Sequence, residues 1–224
     1  MARIARLVVP KHPHHVTQRG VRRMKTFMDD EDYTDYISMI SESCQKAGTE
    51  VWAYCLMPNH VHFIMVPSDE GGLRAALGEA HRQYTRKINF REGCRGHLWQ
   101  ERFHSFPMDE SYLMACVRYV ELNPVRAGLV KRPEDWAWSS AAAHLKGKDD
   151  ELVMVEPMLN RFPEWEVFLE GGIKEGEQKA LQLHTRTGRP LGEDNWVHGL
   201  EKETGRTLKK RPVGRPKKRK MNKK

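Results

Sequence analysis

At 224 residues the chain is long enough for one well-buried domain with appendages and short for two full domains. The formal net charge is +8, and the lack of any apolar run of membrane-spanning length excludes a membrane-spanning helix at the level of sequence, so no membrane partner is expected. The charge is uneven: eleven Lys or Arg and no acid follow from Thr204 on, residues 1–131 are mildly basic, and 132–203 are acidic.

In chain order, Ile4–Val9 and His15–Gln18 read as short strands separated by Pro10 and Pro13. The first ten residues have too short an apolar core for a secretory signal. Cys44, Cys55, Cys94 and Cys116 show no Cys-x-x-Cys pairing, so a reduced, cytoplasmic protein is expected. Gly20 with Arg22 and Arg23 forms a loop. Acids at 29–32 open a helix in which Tyr33, Tyr36, Ile37, Ile40 and Cys44 recur at helical spacing up to Gly48. Glu50–Met57 and His60–Val66 read as a strand pair around Pro58-Asn59, and Leu73–Phe90 as a helix ended by Gly93 and Gly96. His97–Met108 alternates as a further strand, and Asp109 caps a helix over Ser111–Leu122 that stops at Asn123-Pro124. This order predicts an α+β antiparallel sheet with helices packed on one face. Short helices broken by proline and glycine fill 133–203, and a basic tail follows.

Chemistry concentrates in Asn59-His60-Val61-His62. On a strand, His60 and His62 point to one face while Val61 and Phe63 point to the other. Neutral imidazoles ligate divalent metals, yet a bare His-x-His is as compatible with packing at a sheet surface, and two ligands rarely suffice. Tyr119 and Asn123 lie four apart in a helical segment and share a face. An amide oxygen suits Mg²⁺ or Mn²⁺, so His60, His62 and Asn123 as ligands beside Tyr119 as nucleophile would suit the cutting of a phosphodiester. Tyr84 and Tyr112 have no ligand-type side chain in the same arrangement. His12-Pro13-His14 repeats the spacing, but its proline places it at a turn, from which His14 or His15 can approach a phosphate.

Arg22, Arg23, Arg82, Arg86 and Lys87 are candidate phosphate contacts. Trp99, Arg102, Phe103, His104 and Phe106 combine charge with aromatic surface suited to unpaired bases or to core packing. In the tail, Val213-Gly214-Arg215-Pro216-Lys217-Lys218 resembles an AT-hook, with Arg215, Lys217 and Lys218 as DNA contacts. Arg189 in a similar tripeptide reads as a turn.

Five stretches in order resemble the REP-associated tyrosine transposases, a branch of the single-tyrosine HUH transposases. They are Pro13-His14-His15-Val16-Thr17-Gln18-Arg19-Gly20, Met57-Pro58-Asn59-His60-Val61-His62, Gly96-His97-Leu98-Trp99-Gln100-Glu101-Arg102-Phe103, the run from Tyr119 to Val130, and Asp135-Trp136-Ala137-Trp138-Ser139-Ser140. The resemblance implies a ferredoxin-like or RRM-like sheet, a divalent ion on His60, His62 and Asn123, and Tyr119 as nucleophile. It further implies hairpin-containing single-stranded DNA as substrate, cleaved and rejoined through a 5′-phosphotyrosine intermediate. The expected division is a catalytic domain at 1–145, a helical accessory region at 146–203 and a disordered DNA-binding tail at 204–224. The protein is expected in the cytoplasm, at the bacterial nucleoid, as a monomer or homodimer. Two readings compete: a non-catalytic or domesticated nucleic-acid-binding regulator that kept the fold, and a metal-dependent hydrolase that uses water and leaves no adduct.

Overall fold

Strand β2 (Thr49–Met57) and strand β3 (His60–Pro67) form a hairpin around Pro58-Asn59, as their apolar, β-branched content dictates. The structure, a computed structural model, describes residues 4–209. Strand β1 (His14–Arg19) pairs antiparallel with β3 on one side and with β4 (His104–Pro107) on the other, giving the order β2-β3-β1-β4. Helix α1 (Asp30–Lys46) links β1 to β2, and α2 (Gly72–Arg91) links β3 to β4. This is the split βαβ arrangement of ferredoxin-like folds, an α+β architecture.

Alternation along β3 divides its side chains between two cores. Val61, Phe63 and Met65 pack with Tyr36 and Ile40 of α1 and with Leu73, Leu77 and Tyr84 of α2. Ile64 faces the other way, with Ala53 and Phe106, beneath Leu113, Cys116, Val117 and Val120 of α3 (Glu110–Glu121). Helices therefore cover both faces, which corrects the expectation of one covered face. The reason lies in β2 and β3, whose side chains are apolar on both sides; each such side chain gains about 1.5–3 kcal/mol from burial.

Several local signals act as expected. The Asp29 carboxylate accepts from the Asp32 backbone N–H at 3.0 Å and caps α1. Asp109 accepts from the Tyr112 N–H at 3.2 Å and caps α3. Two expected strands differ. Of His97–Met108 only His104–Pro107 is strand, because positive φ at Gly96 (116°) and Glu101 (57°) keeps the preceding chain irregular. Ile4–Val9 is not strand: β1 already has a partner on each side, so Leu7 and Val9 pack instead against Val197 and Leu200 of α9 (Asp194–Thr204).

After α3 come α4 (Asn123–Arg126), α5 (Ala141–Lys146), α6 (Glu156–Leu159), α7 (Trp165–Glu170) and α8 (Glu175–Thr187) before α9. This stretch seals both sheet edges. Leu56 N–H donates to Trp138 O, Ser140 N–H to Tyr54 O and Met154 N–H to Val51 O along β2, while Leu191 N–H donates to Pro107 O beside β4. These bonds occupy edge groups that another chain could otherwise extend. Trp165, Phe168, Leu169 and Leu181 enter the same core as α3. The first tail residues are also packed: Leu208 is buried, and the Arg206 guanidinium donates to Ala5 O and Arg6 O. Disorder expected from Thr204 on thus does not hold through Lys209. Arg215, Lys217 and Lys218 lie outside the described residues. Among the described residues, no helix is long and apolar enough to cross a membrane.

Candidate active site

Register builds the site before any side chain is considered. His62 pairs with Thr17 of β1, which pairs with His104 of β4; His60 pairs with Arg19; Ile64 pairs with His15, which pairs with Phe106. Directly opposed residues share a face. His60, His62, His15, Thr17, Arg19 and His104 therefore stand on the face that α3 covers.

Tyr119 reaches this face from the last turn of α3. Its ring centroid lies 5.8 Å from His62 and 6.3 Å from His15, and the His60 and His62 rings are 4.9 Å apart. The Arg126 guanidinium sits 5.0 Å from the Tyr119 ring centroid, where positive charge favours an electron-rich phenol. Of these groups, Tyr119, His60 and His62 border a cleft of about 630 Å³, also lined by Arg19, Arg23, Gln100, Glu101, Gln182, Thr185 and Arg186. Three arginines against the single carboxylate of Glu101 give the lining a charge suited to phosphate.

The imidazoles are held neutral. Burial, with Arg19 adding to it, lowers His60 to about 4. Burial lowers His62 well below its ordinary value, helped by His60, His15, Arg19 and Arg126. Burial alone lowers His15 to about 3. Neutral rings are the ligand form. Hydrogen bonds fix the tautomer of His60. The Asn59 amide donates from Nδ2 to Arg23 O at 3.1 Å, which turns its Oδ1 toward His60 Nδ1 at 2.6 Å. An amide oxygen only accepts, so His60 Nδ1 carries the hydrogen and its Nε2 keeps a lone pair. On His62, Nδ1 lies 2.9 Å from Nε2 of His15.

Of the four residues expected at the centre, His60, His62 and Tyr119 come together. Asn123 does not line the cleft, and its Nδ2 is buried without a partner. Helix α3 ends at Glu121 with Leu122 as its cap, so Asn123 opens α4 instead of continuing the α3 face. Among the described residues, no three His, Cys, Asp or Glu side chains are disposed to share a metal. The two imidazoles thus form a donor pair that fits a divalent ion.

Among the candidate cations, Arg23 lines the cleft, and Arg102 lines a neighbouring groove with Arg6, Arg74, Arg82 and Trp99. Arg22 is exposed and lines neither. Arg22 and Arg23 both adopt positive φ, 53° and 62°, in a single 3₁₀ turn. Trp99, Phe103 and Phe106 are buried and serve packing, Trp99 stacking on His81 at 4.5 Å. Sequence reasoning gave no site role to Asn59, Arg19, Arg126, Thr185 or Arg186. Asn59 adjoins the His pair and was within reach of local reading. Thr185 was not, since 170 positions separate it from His15.

The chain is similar to several known proteins. A putative REP-associated tyrosine transposase of Haemophilus influenzae (strain ATCC 51907 / DSM 11121 / KW20 / Rd) is 27% identical over 130 residues, covering 51% of this chain and 74% of that protein. The REP-associated tyrosine transposase of Escherichia coli (strain K12) is 29% identical over 94 residues, covering 41% of this chain and 53% of that protein. A solved structure of a REP-associated tyrosine transposase bound to a REP hairpin superposes with a TM-score of 0.57 at 21% identity, over 67% of this chain and 90% of that one, and shares the fold. The IS200-like transposase family model matches residues 8–123, from the approach to β1 through Tyr119, and the chain belongs to that family of DNA-cleaving transposases.

Proposed function

We propose that this protein is a metal-dependent single-stranded DNA transesterase that cleaves and rejoins hairpin-containing DNA through a 5′-phosphotyrosine. The observation that carries the reading is the meeting of Tyr119 with His60 and His62 in one arginine-lined cleft. His60 and His62 would hold a divalent ion, Mg²⁺ or Mn²⁺, which when bound neutralises charge developing on the scissile phosphate.

The chain's own residues account for the remaining steps. Arg19, Arg23 and Arg186 attract and orient the DNA backbone in the cleft. The Tyr119 oxygen attacks phosphorus, forming the Tyr–O–P bond while the P–O3′ bond breaks. The phenolic proton is lost, the departing 3′-oxygen gains one, and the 5′-phosphate stays on the protein. Arg126 lies over the ring and sets positive charge beside the attacking group. Attack by a 3′-hydroxyl reverses the exchange, so the phosphoester energy is retained and no nucleotide hydrolysis is needed. A hairpin substrate agrees with the ligand of the solved relative, whose name records a REP hairpin.

The test is incubation of the full chain with an end-labelled hairpin oligonucleotide and Mn²⁺ or Mg²⁺. A denaturant-resistant protein–DNA adduct should form and disappear in Tyr119→Phe. Cleavage without an adduct would point to a water-using hydrolase, and binding without cleavage to a regulator that kept the fold.

A further inference from the structure

His62 is reached from behind by a hydrogen-bond chain that starts on α8, outside the matched family span. The Thr185 hydroxyl lies 2.8 Å from Leu181 O. A carbonyl only accepts, so the hydroxyl hydrogen is committed to it. Thr185 Oγ1 then presents lone pairs to His15 Nδ1, 3.4 Å away. That contact is favourable only when His15 Nδ1 carries a hydrogen. His15 is 1% exposed, between the Phe106 ring at 5.3 Å and the His62 ring at 5.2 Å, surroundings that disfavour a second, charging proton. Its Nε2 is left as an acceptor, 2.9 Å from His62 Nδ1, which must donate. The reverse polarity would set a bare His15 Nδ1 against a Thr185 oxygen whose hydrogen points elsewhere.

The second imidazole is prepared in the same way by unrelated residues, the Arg23 carbonyl and Asn59 acting on His60. Two separate chains thus end with the hydrogen on Nδ1 and the lone pair on Nε2.

We propose that Thr185 on α8, acting through His15, sets the tautomer of His62 and leaves its Nε2 free to hold a metal ion. Thr185 and His15 are positioning residues, and this role rests on the metal-binding reading of His62 above. The helical extension is then part of the catalytic site's wiring.

The experiment uses the full chain with ¹⁵N-labelled histidine and no added metal. Long-range ¹H–¹⁵N correlation spectra identify the protonated nitrogen of each ring, the His62 signals being assigned by their loss in His62→Gln. We expect the Nδ1–H tautomer at both His15 and His62. In Thr185→Val, His62 should shift toward Nε2–H and Mn²⁺ affinity should fall about tenfold. Thr185→Ser, which keeps the hydroxyl, should restore both. A wild-type His62 protonated on Nε2 overturns the proposal, whether or not the variants fold. An unchanged tautomer together with unchanged Mn²⁺ affinity in a folded Thr185→Val overturns it as well. Expected tautomers in a wild-type protein that binds no Mn²⁺ would sink the metal reading instead and leave the hydrogen-bond chain standing.

Discussion

Single hydrogen bonds decide what the two imidazoles can do. Asn59 is the simplest case, because its side chain holds the His60 ring through a 2.6 Å contact and is itself turned by the Arg23 carbonyl. Outer partners of ligating histidines typically carry 10–100-fold in metal affinity. Asn59→Ala should therefore lower Mn²⁺ affinity by about that factor with the fold intact, as read by calorimetric titration; equal affinity would mean packing alone orients His60. At Tyr119, Arg126→Gln removes the cation over the ring. Adduct formation should slow about two- to fivefold while hairpin affinity changes little. A loss confined to affinity would make Arg126 a plain backbone contact.

Helix α3 connects the site to the rest of the chain through one buried acid. Glu121 is fully buried two residues after Tyr119. Its Oε1 accepts from Ser140 Oγ at 2.5 Å and contacts His144 Nδ1 at 2.7 Å, and its Oε2 accepts from Trp165 Nε1 at 2.8 Å. Two later segments, α5 with its Ser140 cap and α7, are thereby pinned to the end of α3. Removing the acid strands a hydroxyl, an imidazole and an indole N–H away from water. Glu121→Ala should cost about 3–5 kcal/mol of unfolding free energy in denaturant titration. A cost under about 1 kcal/mol would show that the apolar contacts of Trp165 and Phe168 suffice without it. Asp109 plays a smaller part at the other end of α3, capping that helix and also accepting from the Glu193 N–H at 2.7 Å just before α9. Asp109→Ala should cost about 1 kcal/mol.

For the whole molecule, buried histidines set the acid limit of stability. Burial lowers His14 and His81 to about 3; His81 meets the Tyr36 hydroxyl at 2.9 Å, while His14 lies beside Val9 N and His12 O. In the unfolded chain these rings titrate near 6.5. Above that value both states are neutral and folding gains the full contribution. As pH falls from 6.5 toward 3, the unfolded chain binds protons that the folded chain refuses, and stability declines. Denaturant midpoints should drop between pH 7 and pH 5, before most carboxylates titrate, and the slope should correspond to uptake of more than one proton. His81→Phe should flatten that slope; a midpoint constant over this window would contradict the buried, neutral state of these rings.

Much of this was legible without coordinates, for a definite reason. The period of two in β3 and the helical spacing of α1 and α3 are local, so they placed His60 with His62 and put Tyr119 near a helix end. Asn123 shows where local reasoning stopped: the same four-residue spacing predicted a shared face, but α3 ends at Glu121 with Leu122 as its cap, Asn123 opens α4, and it is not among the residues that line the cleft. Glu121 shows the complementary failure, since an acid in an apolar helix looks solvated until the segments that bury it are in place.

The amino-acid order by itself determined β2, β3, the helices α1 to α3, the His pair and the tyrosine, because those follow from backbone preference and side-chain period. Only tertiary structure decided that α3 lies on the histidine face, that α8 returns over β1, and that Thr185 meets His15 across 170 positions. Contacts between distant segments depend on which apolar faces cover one another, and no local period encodes that choice.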